Sequence, residues 1–96
     1  MISVMARYRV KKDRVKDIIK AVKEFVKDVE KKEKGTLSYM AFQLAKNPGD
    51  FVHFMNFEDK KAEAIHRKSG YVKKFVSVLY SSCERKPIFT NLNRIK

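Results

Sequence analysis

Hydrophobic positions change period several times along this chain, and each change marks an element. Residues 2–10 alternate, with Ile2, Val4, Ala6, Tyr8 and Val10 set against Ser3, Met5, Arg7 and Arg9, which predicts a strand with one apolar face. Lys11-Lys12-Asp13 makes the turn, and Asp13 is placed to cap a following helix. From Arg14 to about Lys34, Val15, Ile18, Ile19, Val22, Phe25, Val26 and Val29 recur at helical spacing, an amphipathic pattern. Acidic residues are interleaved with lysines on its polar face, which marks a helix facing a core rather than a membrane surface. Gly35 suits its C-cap.

Thr36 to Leu44 then reads as a second strand, Asn47-Pro48-Gly49-Asp50 as a turn, and Phe51 to Phe57 as a third strand closing an antiparallel hairpin. After the acidic Glu58-Asp59, residues Ala62, Ile65 and His66 share one helical face. Ser69-Gly70 interrupts that helix, and Val72, Phe75, Val76 and Leu79 resume the period; Pro87 introduces a last strand, Ile88 to Ile95. The order β-α-β-β-α-β predicts one α+β domain over residues 1–96, a ferredoxin-like sandwich with both helices on one face of four antiparallel strands. Both alternating sets of the third strand are apolar: Phe51, Met55 and Phe57 against Val52 and Phe54. In so small a chain this predicts that a second copy covers the free sheet face, making a homodimer.

Composition narrows the function. The net charge is +12, from 23 Lys and Arg against 11 Asp and Glu, but the lysines are dispersed from end to end, as on a solvated surface. The β-α-β-β-α-β order is also that of the RNA recognition motif. The Lys/Arg-Gly-aromatic-Gly opening of its third strand is missing, with Asn47-Pro48-Gly49-Asp50 in its place, which argues against nucleic acid as a partner. No apolar run approaches the roughly 18 residues of a membrane span. A single cysteine, Cys83, fits a reducing cytoplasm. There is neither a glycine-rich dinucleotide loop nor a cysteine cluster.

The one titratable group set against an apolar wall is His66, on the apolar helix face beside the break. It has three readings: a general base, a metal ligand, or a structural residue bonded to a backbone carbonyl at the break. As a ligand it would have only His53 for company, without a carboxylate cluster at ligand spacing. Tyr39, Phe42, Phe54, Phe57, Tyr71 and Phe75 supply aromatic surface, and the two tyrosine hydroxyls can orient a polar substrate. Asn56 reads equally as a polar pocket group or an outward residue, and Arg7 and Arg9 as interface residues.

The succession Gly35-Thr36-Leu37-x-Tyr39, Asn47-Pro48, an aromatic strand, an Asp59 helix start, Ala62-x-x-x-His66, a serine break and a Pro87-led strand resembles the antibiotic-biosynthesis-monooxygenase-like family of dimeric α+β barrels. The likeness covers essentially the whole chain. It implies a homodimer, a pocket between sheet and helices in each subunit, and oxidation of a quinol or other electron-rich aromatic without metal or cofactor. It favours a pocket role for His66, and the candidate site is then His66 as the catalytic base with Tyr39, Asn56, Phe57, Tyr71 and Phe75 as substrate contacts. Isomerases and ligand-binding proteins without turnover are the alternatives on the same fold. The haem-degrading branch carries an asparagine where this chain has Ala6, a tryptophan at His66 and an iron-ligating histidine near Val76. This chain departs from it at all three.

Overall fold

A computed structural model describes residues 1–96. Strand β1 (Ile2–Arg9) leads through a 3-10 turn at Lys12–Arg14 into helix α1 (Val15–Lys32). Strands β2 (Thr36–Leu44) and β3 (Asn47–Phe57) follow, then helices α2 (Lys60–Lys68) and α3 (Gly70–Ser82), and finally strand β4 (Ile88–Leu92). The four strands form one antiparallel sheet in the order β2-β3-β1-β4, the ferredoxin-like arrangement.

Strand alternation decides what lies under the helices. Val4, Ala6 and Tyr8 of β1 pair with Met55, His53 and Phe51 of β3, and all six are buried. Against them pack Ile18, Val22, Phe25 and Val29 of α1 and Val72, Phe75 and Leu79 of α3. Phe25 is the hinge of that layer, stacked on Phe75 at 4.3 Å and edge-on to Tyr39 at 5.4 Å. Truncating such a buried ring costs about 3–5 kcal/mol. The opposite sheet face carries Met5, Val52 and Phe54 with Met40, Phe42 and Ile88, the last three about half exposed. No helix is long and apolar enough to cross a membrane.

Four local expectations are corrected. Asp13 caps nothing: it lies in the 3-10 turn, and α1 begins after Arg14 without a side-chain cap. Gly35 is not a left-handed C-cap, because no residue has positive φ; α1 ends at the extended Glu33, whose N–H bonds Val29 at 3.0 Å. The glycine is needed for close approach instead, since a Cβ there would lie 2.6 Å from that of Ala62. The hairpin turn is Ala45-Lys46, not Asn47-Pro48-Gly49-Asp50, which enters β3 as an irregular, bulged start. There the Gly49 carbonyl accepts from Val10 N–H at 2.8 Å, and proline is tolerated because a bulge asks no ladder bond of it. Finally β4 stops at Leu92, short of Ile95.

The helix break does fall at Ser69, which is extended and ends α2 before α3 starts at Gly70. Its hydroxyl turns back to the Ile65 carbonyl at 2.8 Å, and Asp59 caps the start of α2 by accepting from Ala62 N–H at 2.8 Å. Both ends of this short helix are therefore fastened, and His66, in its last turn, is held in one place.

Candidate active site

A cavity of about 570 Å³ lies between the sheet and the three helices. Its floor is Val4, Ala6, Tyr8, Tyr39, His53, Met55 and Phe57 from the sheet. Phe25, His66, Val72, Phe75 and Leu79 form the helical walls, and Glu63, Arg67 and Lys73 contribute charge to the lining. Hydrophobic side chains dominate, with few polar groups among them, the usual make-up of a small-molecule site.

The first polar group is a buried carboxylate held by three donors. Glu33 is 6% exposed and accepts from His66 Nδ1 with Oε1 at 2.9 Å and Oε2 at 3.0 Å. The Thr36 hydroxyl donates to Oε1 at 2.6 Å and the Tyr71 hydroxyl donates to Oε2. Glu33 gets there because it leaves α1 in an extended conformation, turning its side chain inward under α2. Burial, together with the bond to Glu33, pushes the Tyr71 hydroxyl up to about 12, so it stays protonated and keeps donating. Since the carboxylate accepts at Nδ1, neutral His66 carries its lone pair on Nε2. Nε2 has no protein partner, and His66 lines the cavity. Rings enclose the imidazole, with Phe57 at 5.1 Å, Tyr39 at 5.9 Å and Phe25 at 6.0 Å.

A second polar group crosses the floor. His53 Nε2 is 2.7 Å from the Tyr8 hydroxyl and His53 Nδ1 is 2.7 Å from the Tyr39 hydroxyl. Burial pulls His53 down to about 4, leaving it neutral, and raises both tyrosines far above their ordinary value.

Of the residues picked from sequence, His66, Tyr39, Phe57 and Phe75 meet at this cavity. Tyr71 does not line it; it stands behind Glu33 as a donor. Asn56 is corrected: strand alternation puts it on the opposite sheet face, bonded to Ser3 and Ser38 at 2.5 and 2.7 Å. Glu33, His53 and Tyr8 were missed. His53 had a signal, since it alternates with Phe51, Met55 and Phe57 and shares their buried face. Glu33 had none, because the helical period extended over it. No three His, Cys, Asp or Glu side chains are grouped to hold a metal ion.

Residues 1–78 match the family model described as antibiotic biosynthesis monooxygenase. The chain belongs to that family. Antibiotic biosynthesis monooxygenases also appear among similar solved structures: a protein of that name superposes with a TM-score of 0.91 at 21% identity, covering 100% of both chains. A Nitrosomonas europaea protein described as a candidate member gives 0.93 at 16% identity, also over 100% of both. A conserved protein of Methanosarcina mazei gives 0.88 at 20% identity over 97% of this chain and 91% of its own. At these identities the likeness shows the fold. Comparison with curated proteins gives no match.

Proposed function

We propose that this family member is a cofactor-independent monooxygenase that oxidises a quinol or similar electron-rich aromatic in the cavity beneath α2 and α3. One observation carries the reading: an imidazole whose Nδ1 is fixed by a buried carboxylate, with Nε2 free at an apolar cavity large enough for an aromatic molecule. His66 Nε2 takes the proton of a substrate hydroxyl, and Glu33 holds the ring in the tautomer that can accept it. The resulting phenolate gives an electron to O₂, and the two radicals combine at a ring carbon to form a peroxide. Its O–O bond then breaks; one oxygen stays on the substrate and the other leaves as water with two substrate hydrogens. Phe25, Phe57 and Phe75 keep water from the anion. Tyr39, Phe57 and Phe75 contact the substrate, while Tyr71 acts through Glu33.

The residues 1–96 act as one domain, and two copies pair through the outer sheet face. Met40, Phe42 and Ile88, exposed by 50%, 49% and 51%, with Phe54 beside Phe42, leave an apolar surface that association removes from water. The lone, buried Cys83 suits a cytoplasmic protein.

The test is oxygen uptake by purified protein with naphthohydroquinone, menadiol and anthrone, beside His66→Ala. Uptake with at least one, lost in a folded His66→Ala variant, is expected. No uptake with any of them, or full activity in the variant, overturns the reading.

A further inference from the structure

The base at His66 leaves the Tyr8–His53–Tyr39 chain on the cavity floor unused. A count of hydrogens decides what that chain can do. Neutral imidazole carries one N–H and each tyrosine one O–H, three in all. The chain has two links, Tyr8 to Nε2 and Tyr39 to Nδ1. One hydrogen is therefore left over in either tautomer, always on a terminal tyrosine oxygen. It sits on Tyr39 when Tyr8 donates to Nε2, and on Tyr8 when Tyr39 donates to Nδ1. Neither hydroxyl has another protein partner. Tyr8 and Tyr39 are 6% and 8% exposed, and both line the cavity. A buried donor must be satisfied, and here its acceptor has to be something inside the cavity.

We propose that Tyr8, His53 and Tyr39 form a substrate-binding station, donating one hydrogen bond to a ligand oxygen remote from the oxygen that faces His66. The ligand class is then an aromatic ring system bearing two oxygen substituents. This rests on the reading of the cavity as the substrate site. The placement suits such a ligand. The Tyr39 ring lies 5.5 Å from His53 and 5.9 Å from His66, so both polar groups border the same stretch of the cavity. Phe25 and Phe75, stacked on each other, line the same space. A ligand lacking the second oxygen leaves the spare O–H buried without an acceptor, which is the kind of mismatch that gives strong discrimination. The chain can deliver that O–H from either end, because tautomer exchange at His53 reverses its direction.

Calorimetric titration under argon tests this without turnover, using naphthohydroquinone and the naphthol that lacks its second hydroxyl. The wild-type protein is expected to prefer the dihydroxy ligand by about tenfold or more, the effect of one buried hydrogen bond. In Tyr8→Phe/Tyr39→Phe the preference should fall to under about threefold, near the floor for contacts other than that bond. Equal binding of the two ligands by wild type, or a preference kept in the double variant, overturns the proposal. Should the double variant not fold, ring-nitrogen NMR of His53 in the wild type decides. Saturation with naphthohydroquinone is expected to shift its tautomer balance, and an unchanged spectrum overturns the station. Discrimination without oxygen uptake would reject oxidation and leave the station standing. Uptake without discrimination would do the reverse.

Discussion

Glu33 and His66, 33 positions apart, meet through both carboxylate oxygens on a single ring nitrogen, at 2.9 and 3.0 Å. Nothing else in the molecule ties the end of α1 to the end of α2 so directly. A positioned general base is worth about 10²–10⁴-fold, so His66→Ala should lower kcat for a quinol by about 10²-fold or more. Glu33→Gln should fall between that variant and wild type, because a carboxamide has one accepting oxygen for three donors. Glu33→Ala should in addition lose about 1–3 kcal/mol of stability, since His66 is left with a buried, unpaired donor and the half-buried Thr36 and Tyr71 hydroxyls lose their acceptor. Oxygen uptake with urea unfolding on the same samples checks both effects. Wild-type kcat in Glu33→Gln would show that Glu33 only builds the fold.

Gly35 sits where the chain leaves α1 and passes under α2. Its carbonyl accepts from Glu58 N–H at 2.8 Å, and its missing Cβ leaves room for Ala62. Gly35→Ala should destabilise the protein by about 1–3 kcal/mol through overpacking. Adding Ala62→Gly should recover part of that loss, less the helix propensity of about 1 kcal/mol given up at position 62. Thermal melts of the three variants measure it, and a double variant no better than the sum of the singles would place the strain elsewhere.

How far the sequence could be read depended on the range of the interaction. Periodicity gave every element and the two-layer order, because the faces of β1, β3, α1 and α3 repeat over several turns or pleats. It failed where one long-range contact overrules local preference. Gly35 and Asp13 look like caps, yet Ala62 dictates the first and a 3-10 turn displaces the second. Asn47-Pro48-Gly49-Asp50 looks like a turn, yet pairing across the hairpin makes it a bulge. The site was half legible for the same reason. His66 stands out on an apolar face, whereas Glu33 is indistinguishable in sequence from its solvated neighbours until the chain turns it inward. Asn56 was misplaced by a single step of strand alternation.

The outer sheet face makes its own prediction. Phe42 and Phe54 meet edge to face at 6.2 Å, with Met40 opposite Phe54 and Val52 opposite Phe42, in a patch that nothing in the chain covers. Sedimentation should show a dimer at micromolar concentration, and Phe42→Asp should convert it to a monomer with its secondary structure intact. A charge forced into such a patch must be desolvated on association, which opposes pairing strongly. A wild-type monomer at those concentrations would rule out this face as the dimer surface.

His53 predicts how the fold responds to acid. Burial lowers it from 6.5 to about 4. Between those values the unfolded chain has taken up a proton that the folded chain refuses, so the unfolded state binds more protons and stability rises with pH. The contribution is fully present above pH 6.5 and is lost as the pH falls through that window to about 4. Its upper bound is about 3–4 kcal/mol. His53→Gln removes the titration while keeping an amide that can still bond both Tyr8 and Tyr39. Acid weakening from other groups remains in both proteins, so the difference between their acid limbs isolates His53. Urea midpoints at neutral pH and near pH 4.5 should show wild type losing more stability on acidification than the variant. Parallel acid limbs would mean that His53 takes up its proton as readily in the folded protein as in the unfolded one, and that the neutral chain on the cavity floor does not persist.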